Sequence, residues 1–569
     1  MRYRFLYRYD KKDISMNPID RFKKLLIADK KDVYQLLIYA VLAGLISLSI
    51  PLGIQSIVNF IQAGQVSTSW IVLVFGVVIG VAFVGILKIM QFRITENLQQ
   101  KIFVRSSFEF AFRFPNIKFN QLYDFSPPEL ANRFFDTISV QKGFSKLILE
   151  VSTAALQIIF GILLLSLYHS FFIFFGIILL ILLYFIFKIN FKDGLETSLK
   201  ESKYKYKVAH WLQEIARNHL SFKNSSLFNF SMHKNDRLVS EYLINRESHF
   251  NVLKKQFIQL TGFKILITAG LLIIGGILVL KQQMNIGQFV AAEIIIITII
   301  NAVEKLFYGL ELFYDVTTSL EKLGTVVDLE LERENISKSG SEYFIENEEI
   351  TIEAKNIYFQ FPDNENPVIK GVDLIINNKD RILIQGENGS GKTTLLRILS
   401  RLLEPSIGSV FINDVNYKKY CIEDFRSKIG VITIDDSPFE GTILENITCN
   451  NPAITKKEVT EVLDKLKLTE IIKSLPQGLD TPMLSEGKRI NSASIQKILI
   501  ARSVITKPKI LFFEEPVDKL DKYAAGEIIE WLTDPEQPWT LVVIAKANYW
   551  KEKCTKIITV EKGKIKSIK

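Results

Sequence analysis

The chain has 569 residues, of which 48% are hydrophobic, with a formal net charge of +9 and a mean hydropathy of +0.18. That length suits three or four ordinary domains, and that hydropathy is high for a water-soluble protein of this size. The Lys and Arg residues crowd beside apolar segments, which points to orientation in a membrane and away from nucleic acid as a partner.

Three cysteines, Cys421, Cys449 and Cys554, lie far apart with no CxxC pair, so free thiols in a reducing compartment are expected, not a disulfide framework. The five histidines show no ligand spacing, and no metal site of their making is expected. The opening stretch MRYRFLYRYDKK is charged and lacks an early apolar core, so no cleaved signal peptide is expected.

In chain order, residues 1–32 read as a cytoplasmic tail. Six apolar runs follow, each near the ~20 residues that cross a bilayer core: Val33–Ile61, Trp70–Met90, Leu147–Tyr168, Phe171–Phe187, Phe257–Leu280 and Ile286–Ile300. The turn QAGQVSTS after the first run has no Lys or Arg, and KQQMN after the fifth has one. The tail and the stretches around 93–146 and 188–256 are rich in both, which places those three on the cytoplasmic side and both termini with them. The two long stretches show helical spacing. They read as helices that leave the membrane, reverse and return, and Pro127–Pro128 suits one reversal because Pro starts helices and breaks their interiors.

Charges inside the runs have two readings. Glu293 and Lys264 are costly in a span and face either a cavity or a partner. Glu293 could line a translocation path, or it could pair with another helix or a second subunit. Lys88 lies near the end of the second run and is expected to snorkel to the interface.

The pattern turns polar over 320–348, which reads as a linker, and then short β-like runs alternate with helical patterns over 349–569, an α/β domain. Within it, Gly386–Thr393 reads GENGSGKT, between the apolar run RILIQ and the helical pattern LLRILSRLL. This fits G-x-x-x-x-G-K-[ST]. Its glycines allow backbone N–H groups close to phosphate, the following helix adds its positive end, Lys392 would reach the terminal phosphates and Thr393 would offer a hydroxyl to Mg²⁺.

With these motifs in place, nearly the whole chain after residue 20 resembles an exporter-type half-transporter of the ABC transporter family: six membrane helices with cytoplasmic extensions, then an ATP-binding cassette. The resemblance implies a multi-domain membrane protein, with an all-α transmembrane domain (33–319) followed by an α/β P-loop cassette (349–569), that binds ATP and Mg²⁺. It implies nucleotide-binding positions at Gly386, Asn388, Gly389, Ser390, Gly391, Lys392, Thr393 and Thr394, with Phe361 of NIYFQFP as the adenine-stacking aromatic. KILFFEEPVDKLD resembles the Walker B strand, which makes Glu514 a Mg²⁺ ligand beside Thr393, Glu515 the water-polarising carboxylate and Asp521 the D-loop aspartate. FEGTILENI, LPQGLDTPMLSEG and TLVVIAK resemble the segments around the Q-loop, the signature and the switch histidine. Short coupling helices are implied near Tyr123–Glu129 and His210–Arg217.

The departures from the family pattern are specific. The signature position reads Ile490-Asn491-Ser492-Ala493-Ser494 where LSGGQ is usual, so Ser492 and Ala493 add side chains where glycines let backbone approach phosphate. Asn491 could still cap the helix. Ile434 stands at the Q-loop glutamine, and Lys546 at the switch histidine, where it offers a point charge without imidazole geometry. Glu514 replaces the usual Asp. The cassette is therefore expected to bind ATP and to turn it over poorly, because phosphoryl transfer rests on positioning and electrostatics. Lys392, Glu515 and Lys546 are the expected catalytic positions.

The resemblance also implies a homodimer or a heterodimer with a second half-transporter, in the cytoplasmic membrane of a bacterium. A peptidase domain is not expected from the short tail of residues 1–32, so leader cleavage is not an expected activity. IPLGIQSIVNFIQ resembles the type I secretion group, which implies a polypeptide substrate and a membrane-fusion adaptor. Lipid or an amphipathic small molecule is the alternative substrate. An ATP-binding but catalytically weak regulatory or scaffold subunit is the alternative function.

Overall fold

The computed structural model describes residues 16–62, 68–123, 125–332, 345, 349–362, 364–488, 490–546 and 548–569. Most of the QAGQVSTS turn, most of the expected linker and the first half of the tail lie outside them. The chain divides into two compact units, one formed by Met1–Ile117 and Gln121–Glu332, the other by Lys118–Asn120 and Arg333–Lys569.

The first unit is all α. Six helices are long and apolar enough to cross a membrane, with 18-residue windows of mean hydropathy from 2.0 to 2.9. The first runs Lys30–Gln62, the second Thr68–Arg113, the third Asp136–Ser166, the fourth Phe171–Arg217 and the sixth Ile286–Val327. The fifth begins at Ser225 and passes through a π turn at Leu271–Gly275 before ending at Leu280. A 46-residue helix such as the second is about 69 Å long, over twice the ~30 Å hydrocarbon core. The helices therefore extend well past the apolar runs of the sequence.

Three boundaries differ from the sequence reading. Pro18–Ala28 of the expected tail is an amphipathic helix, and its Arg21 donates to Glu321 at 3.2 Å and to Asp328 at 3.1 Å. The sixth helix continues to Val327, through the first residues of the stretch expected to be a linker, because Leu323 and Val326 carry its buried stripe onward and join Leu25 in the core. His210–Arg217 is the last part of the fourth helix, not a separate short helix, and the chain reverses over Asn218–Asn224. The other reversal holds a short helix, Pro127–Asn132, with proline in its first turn.

The charged residues inside the apolar runs part ways. Lys264 donates to Glu304 of the sixth helix at 2.5 Å, which satisfies an otherwise costly ammonium. Glu293 is half-buried and has no ion-pair or hydrogen-bond partner among the described residues. Lys88 is exposed.

The second unit is the α/β domain. A six-stranded sheet has the order Lys564–Ile568, Lys556–Glu561, Arg381–Gln385, Thr540–Ile544, Ile510–Glu514, Ile429–Ile432. The last five strands pair in parallel, and a four-stranded antiparallel sheet accompanies them. The central strands are fully buried Val/Ile/Leu/Phe runs, as parallel strands covered on both faces must be. Register matters for the site. Ile544 pairs with Ile384 on one side and Glu514 on the other, and Ile432 pairs with Phe513. Four strands thus end level, and the loops that follow them gather at one carboxyl edge, the place where such sheets hold ligands.

Candidate nucleotide site

The first loop at that edge is the glycine-rich one. Gly391 caps the helix Lys392–Leu399 with φ +100°, and Gly386 has φ +152°. A Cβ on Gly386 would meet the Val560 carbonyl oxygen and lie 2.9 Å from Ser390 Oγ, and one on Gly391 would lie 2.8 Å from Ile369 Cδ1. Both conformation and space therefore demand glycine. The loop is braced from outside, since Gly563 N donates to Ser390 O at 3.0 Å. Asn388 and Gly389 are exposed, while Ser390 and Thr394 are buried. Ser390 Oγ is buried without a hydrogen-bond partner in the structure, which leaves a polar atom in the cradle for a ligand to satisfy.

The Lys392 ammonium folds over the loop and donates to the carbonyls of Gly386 at 2.9 Å and Glu387 at 2.7 Å. Burial first, and then the positive charge of Lys546, lower its pKa below the ordinary lysine value. Thr393 Oγ1 hydrogen-bonds Glu514, the last residue of its strand and itself buried. A hydroxyl and a carboxylate brought together in this way are the hard oxygen donors that suit Mg²⁺. The donor set and the orphaned Ser390 hydroxyl fit a magnesium nucleotide.

The loop after Glu514 starts with Glu515 in a left-handed conformation, φ +48°. Its N–H donates to Ile544 O at 2.8 Å, and its carbonyl accepts from Gln496 Nε2 at 2.8 Å. Its carboxylate meets the ammonium of Lys546 at 3.1 Å. Asp518 sits close by, and burial and then the charge of Glu515 raise its pKa above 3.8. Asp521 caps the helix Lys522–Thr533 by accepting from Tyr523 N and Ala524 N, and those bonds lower its pKa. Ile434, in the loop after the edge strand, is 62% exposed; only its backbone N–H points at Glu514 Oε2, at a long 3.5 Å.

Two expected positions stand apart from this cluster. Asn491 caps the helix Ser492–Val504, accepting from Ser494 N at 2.7 Å, so Ser492 and Ala493 occupy its first turn. Phe361 is half-buried beyond the strand Ile352–Phe359, with its ring edge-on to Phe359 at 5.0 Å. Sequence reasoning missed Gln496, which ties the Glu515 carbonyl to the Lys519 N–H (2.8 Å) from the far side of the loop. Its place two residues past the altered signature run was the available signal.

Residues 369–518 match the ABC transporter family model. The chain is 28% identical over 309 residues, 54% of its length, to the alpha-hemolysin translocation ATP-binding protein HlyB of Escherichia coli O157:H7. It is 31% identical over 219 residues, 38% of its length, to ABC transporter B family member 29, chloroplastic, of Arabidopsis thaliana. These alignments take in 43% and 34% of the two relatives, so the chain spans less than half the length of either. A solved bacterial Atm1-family ABC exporter, with ATP bound, superposes over 95% of both chains with a TM-score of 0.79 at 16% identity. Residues 369–518 thus match the ABC transporter family, and the chain shares from end to end the fold of an exporter-type half-transporter.

Proposed function

We propose that the chain is one subunit of an ATP-driven exporter that binds nucleotide readily and hydrolyses it slowly. The observation that carries this is the braced glycine loop closed over by Lys392, with Thr393 and Glu514 meeting beneath it. Gly386, Asn388, Gly389, Ser390, Gly391, Lys392, Thr393 and Thr394 would hold the phosphates, Phe361 the base, and Thr393 with Glu514 the Mg²⁺. When bound, the magnesium nucleotide supplies a transferable phosphoryl group and a divalent charge. Lys392 adds positive charge at the terminal phosphate, and Glu515 orients and polarises the attacking water.

Slow turnover follows from the neighbours of that carboxylate. Exposed Ile434 cannot hydrogen-bond water or a metal shell, Lys546 occupies Glu515, and Ser492 and Ala493 bring side chains to the turn where backbone would meet a second cassette. A dimer of half-transporters, with a second copy or a different partner, in the cytoplasmic membrane of a bacterium is the assembly we infer, with both termini and the cassette inside. A polypeptide is the substrate class favoured by the similarity to the alpha-hemolysin translocation protein, and a membrane-fusion adaptor would then be a partner. The same altered positions support a second reading, an ATP-binding subunit that regulates or scaffolds a catalytic partner.

The test is ATP hydrolysis by the full chain in lipid nanodiscs, with nucleotide binding measured on the same samples. Turnover abolished by Lys392→Ala and by Glu515→Gln establishes a working motor. Binding without turnover favours the regulatory reading, and absence of binding overturns both.

A further inference from the structure

Within the first unit, the short helix Pro18–Ala28 and the third, fourth and sixth helices enclose a cavity of about 490 Å³. Phe22 and Leu26 come from the short helix, Val151 from the third, Phe187 and Phe191 from the fourth and Leu310 from the sixth. The walls are braced by rings: Phe22 meets Phe313 edge-on at 5.1 Å, and Phe191 lies 5.6 Å from that same ring. The only polar side chain among the described lining residues is that of Ser152. An ordered water needs roughly two to four polar partners, so water does not settle in such a space, and close-packed interiors seldom leave a void of this size. A peptide backbone would find no hydrogen-bond partners there. Phe22, Leu26, Phe187 and Phe191 stay partly exposed, so the cavity opens to the outside of the unit.

The cavity lies where apolar sequence gives way to charge. Phe187 ends the apolar run of the fourth helix, and Lys188 and Lys192 follow it. Both lysines are exposed, Lys188 over the Tyr184 ring at 5.3 Å, and neither forms a salt bridge among the described residues. We propose that the cavity holds one acyl chain of a resident anionic phospholipid, drawn from the leaflet on the side of these lysines, with its phosphate toward Lys188 and Lys192. The acyl chain satisfies the apolar walls, and the two ammonium groups favour an anionic headgroup over a zwitterionic one. The same charge disfavours the opening stretch MRYRFLYRYDKK as the occupant, because its Arg2, Arg4 and Arg8 would crowd against the lysines. A lipid held this way ties the short helix to three of the long ones, and it is a ligand of the protein, not its cargo.

The test is photolabelling of the full chain in phosphatidylcholine nanodiscs, read by mass spectrometry of the labelled peptides. The probes are phosphatidylglycerol with a diazirine on one acyl chain, and phosphatidylcholine carrying the same chain. The phosphatidylglycerol probe should label the segments around Phe22 and Leu26 and around Phe187 and Phe191 saturably, and more strongly than its zwitterionic match. Lys188→Gln and Lys192→Gln, both surface changes, should each weaken its apparent affinity about fivefold, the scale of one lysine near an anionic lipid. Ser152→Phe fills the space and should remove the cavity labels, while labels at Phe174 and Ile178, exposed on the fourth helix, persist. Equal labelling by the two probes, cavity labels no stronger than those at Phe174 and Ile178, or labelling unchanged in Ser152→Phe overturns the proposal. Labels that appear only once residues 1–15 are deleted would make the tail the occupant, and crosslinks between two chains through Leu26 or Phe191 would make it a second copy; either result overturns the lipid.

Discussion

At the scale of single residues, the carboxyl edge of the sheet packs acidic groups close together, and their titration is a direct probe of that crowding. Asp518 holds its proton more tightly in the folded chain than in an unfolded one, because burial and the neighbouring Glu515 penalise its charge. A raised folded-state pKa makes the ionised group a cost, present above that pKa and vanishing as pH falls toward the ordinary value of 3.8. Asp518→Asn should therefore unfold at a higher temperature than the wild type at pH 7, and the difference should shrink steadily as the pH is lowered. A pH-independent difference in Tm would mean that packing, not charge, distinguishes the two. Gly386 offers a sharper test. A methyl group there collides with the Val560 carbonyl oxygen, so Gly386→Ala should weaken nucleotide binding at least about tenfold, the effect of roughly 1.4 kcal/mol of displaced loop, while Gly389→Ala, which meets nothing within 4 Å, should retain more of it.

At the scale of elements, the contact between the third and sixth helices of the first unit is lined by glycines. Gly143 and Gly161 of the third helix face Val316 and Ile299 of the sixth, and Gly309 of the sixth faces Val151 of the third. Each glycine lets the opposing side chain sit against bare backbone, the means by which helices associate where no water drives them together. A Cβ on Gly161 would lie 2.8 Å from Ile299 Cγ1, so Gly161→Leu should destabilise the helical unit by about 1–3 kcal/mol or more, read as a lower Tm in detergent. Gly262→Ala, with open space around it, is the matched control and should be near neutral. None of these contacts was legible in the sequence, since a glycine in an apolar run shows no partner. The six helices were legible, because twenty apolar residues have one physical explanation. Their lengths were not, because the extensions are amphipathic and their apolar stripe is diluted by Lys, Glu and Ser, as in the fourth helix below Phe187. The glycine loop could be read from its own spacing, whereas Glu514, Glu515 and Asp521 were singled out only by the resemblance of KILFFEEPVDKLD to a Walker B strand. The ion pair of Glu515 with Lys546 could not: 31 residues separate them, and only the register of neighbouring strands brings the two loops together.

At the scale of the whole molecule, the altered positions would act as one cooperative device in the dimer we propose, and their effects should not add. Ile434 and Lys546 lie on two different loops of the second unit, and the pair Ser492–Ala493 lies in the first turn of a helix. In the dimer we propose, each composite site would draw Ile434 and Lys546 from one chain and the altered helix start from the other. A homodimer carries every change twice, whereas a partner with intact loops repairs half of each site. Groups that act as a unit are strongly non-additive, because correcting one leaves the reacting atoms misplaced by the others. Ile434→Gln, Lys546→His or Ser492→Gly/Ala493→Gly alone should thus change ATP turnover of the full chain by no more than about threefold, while the four substitutions together should raise it by an order of magnitude or more. Glu515→Gln in the combined variant must abolish the gain, which ties it to this carboxylate. A combined variant as slow as its parent, though still binding nucleotide, would show that these four positions are not what limits turnover, and would leave the regulatory role as the stronger reading of the molecule.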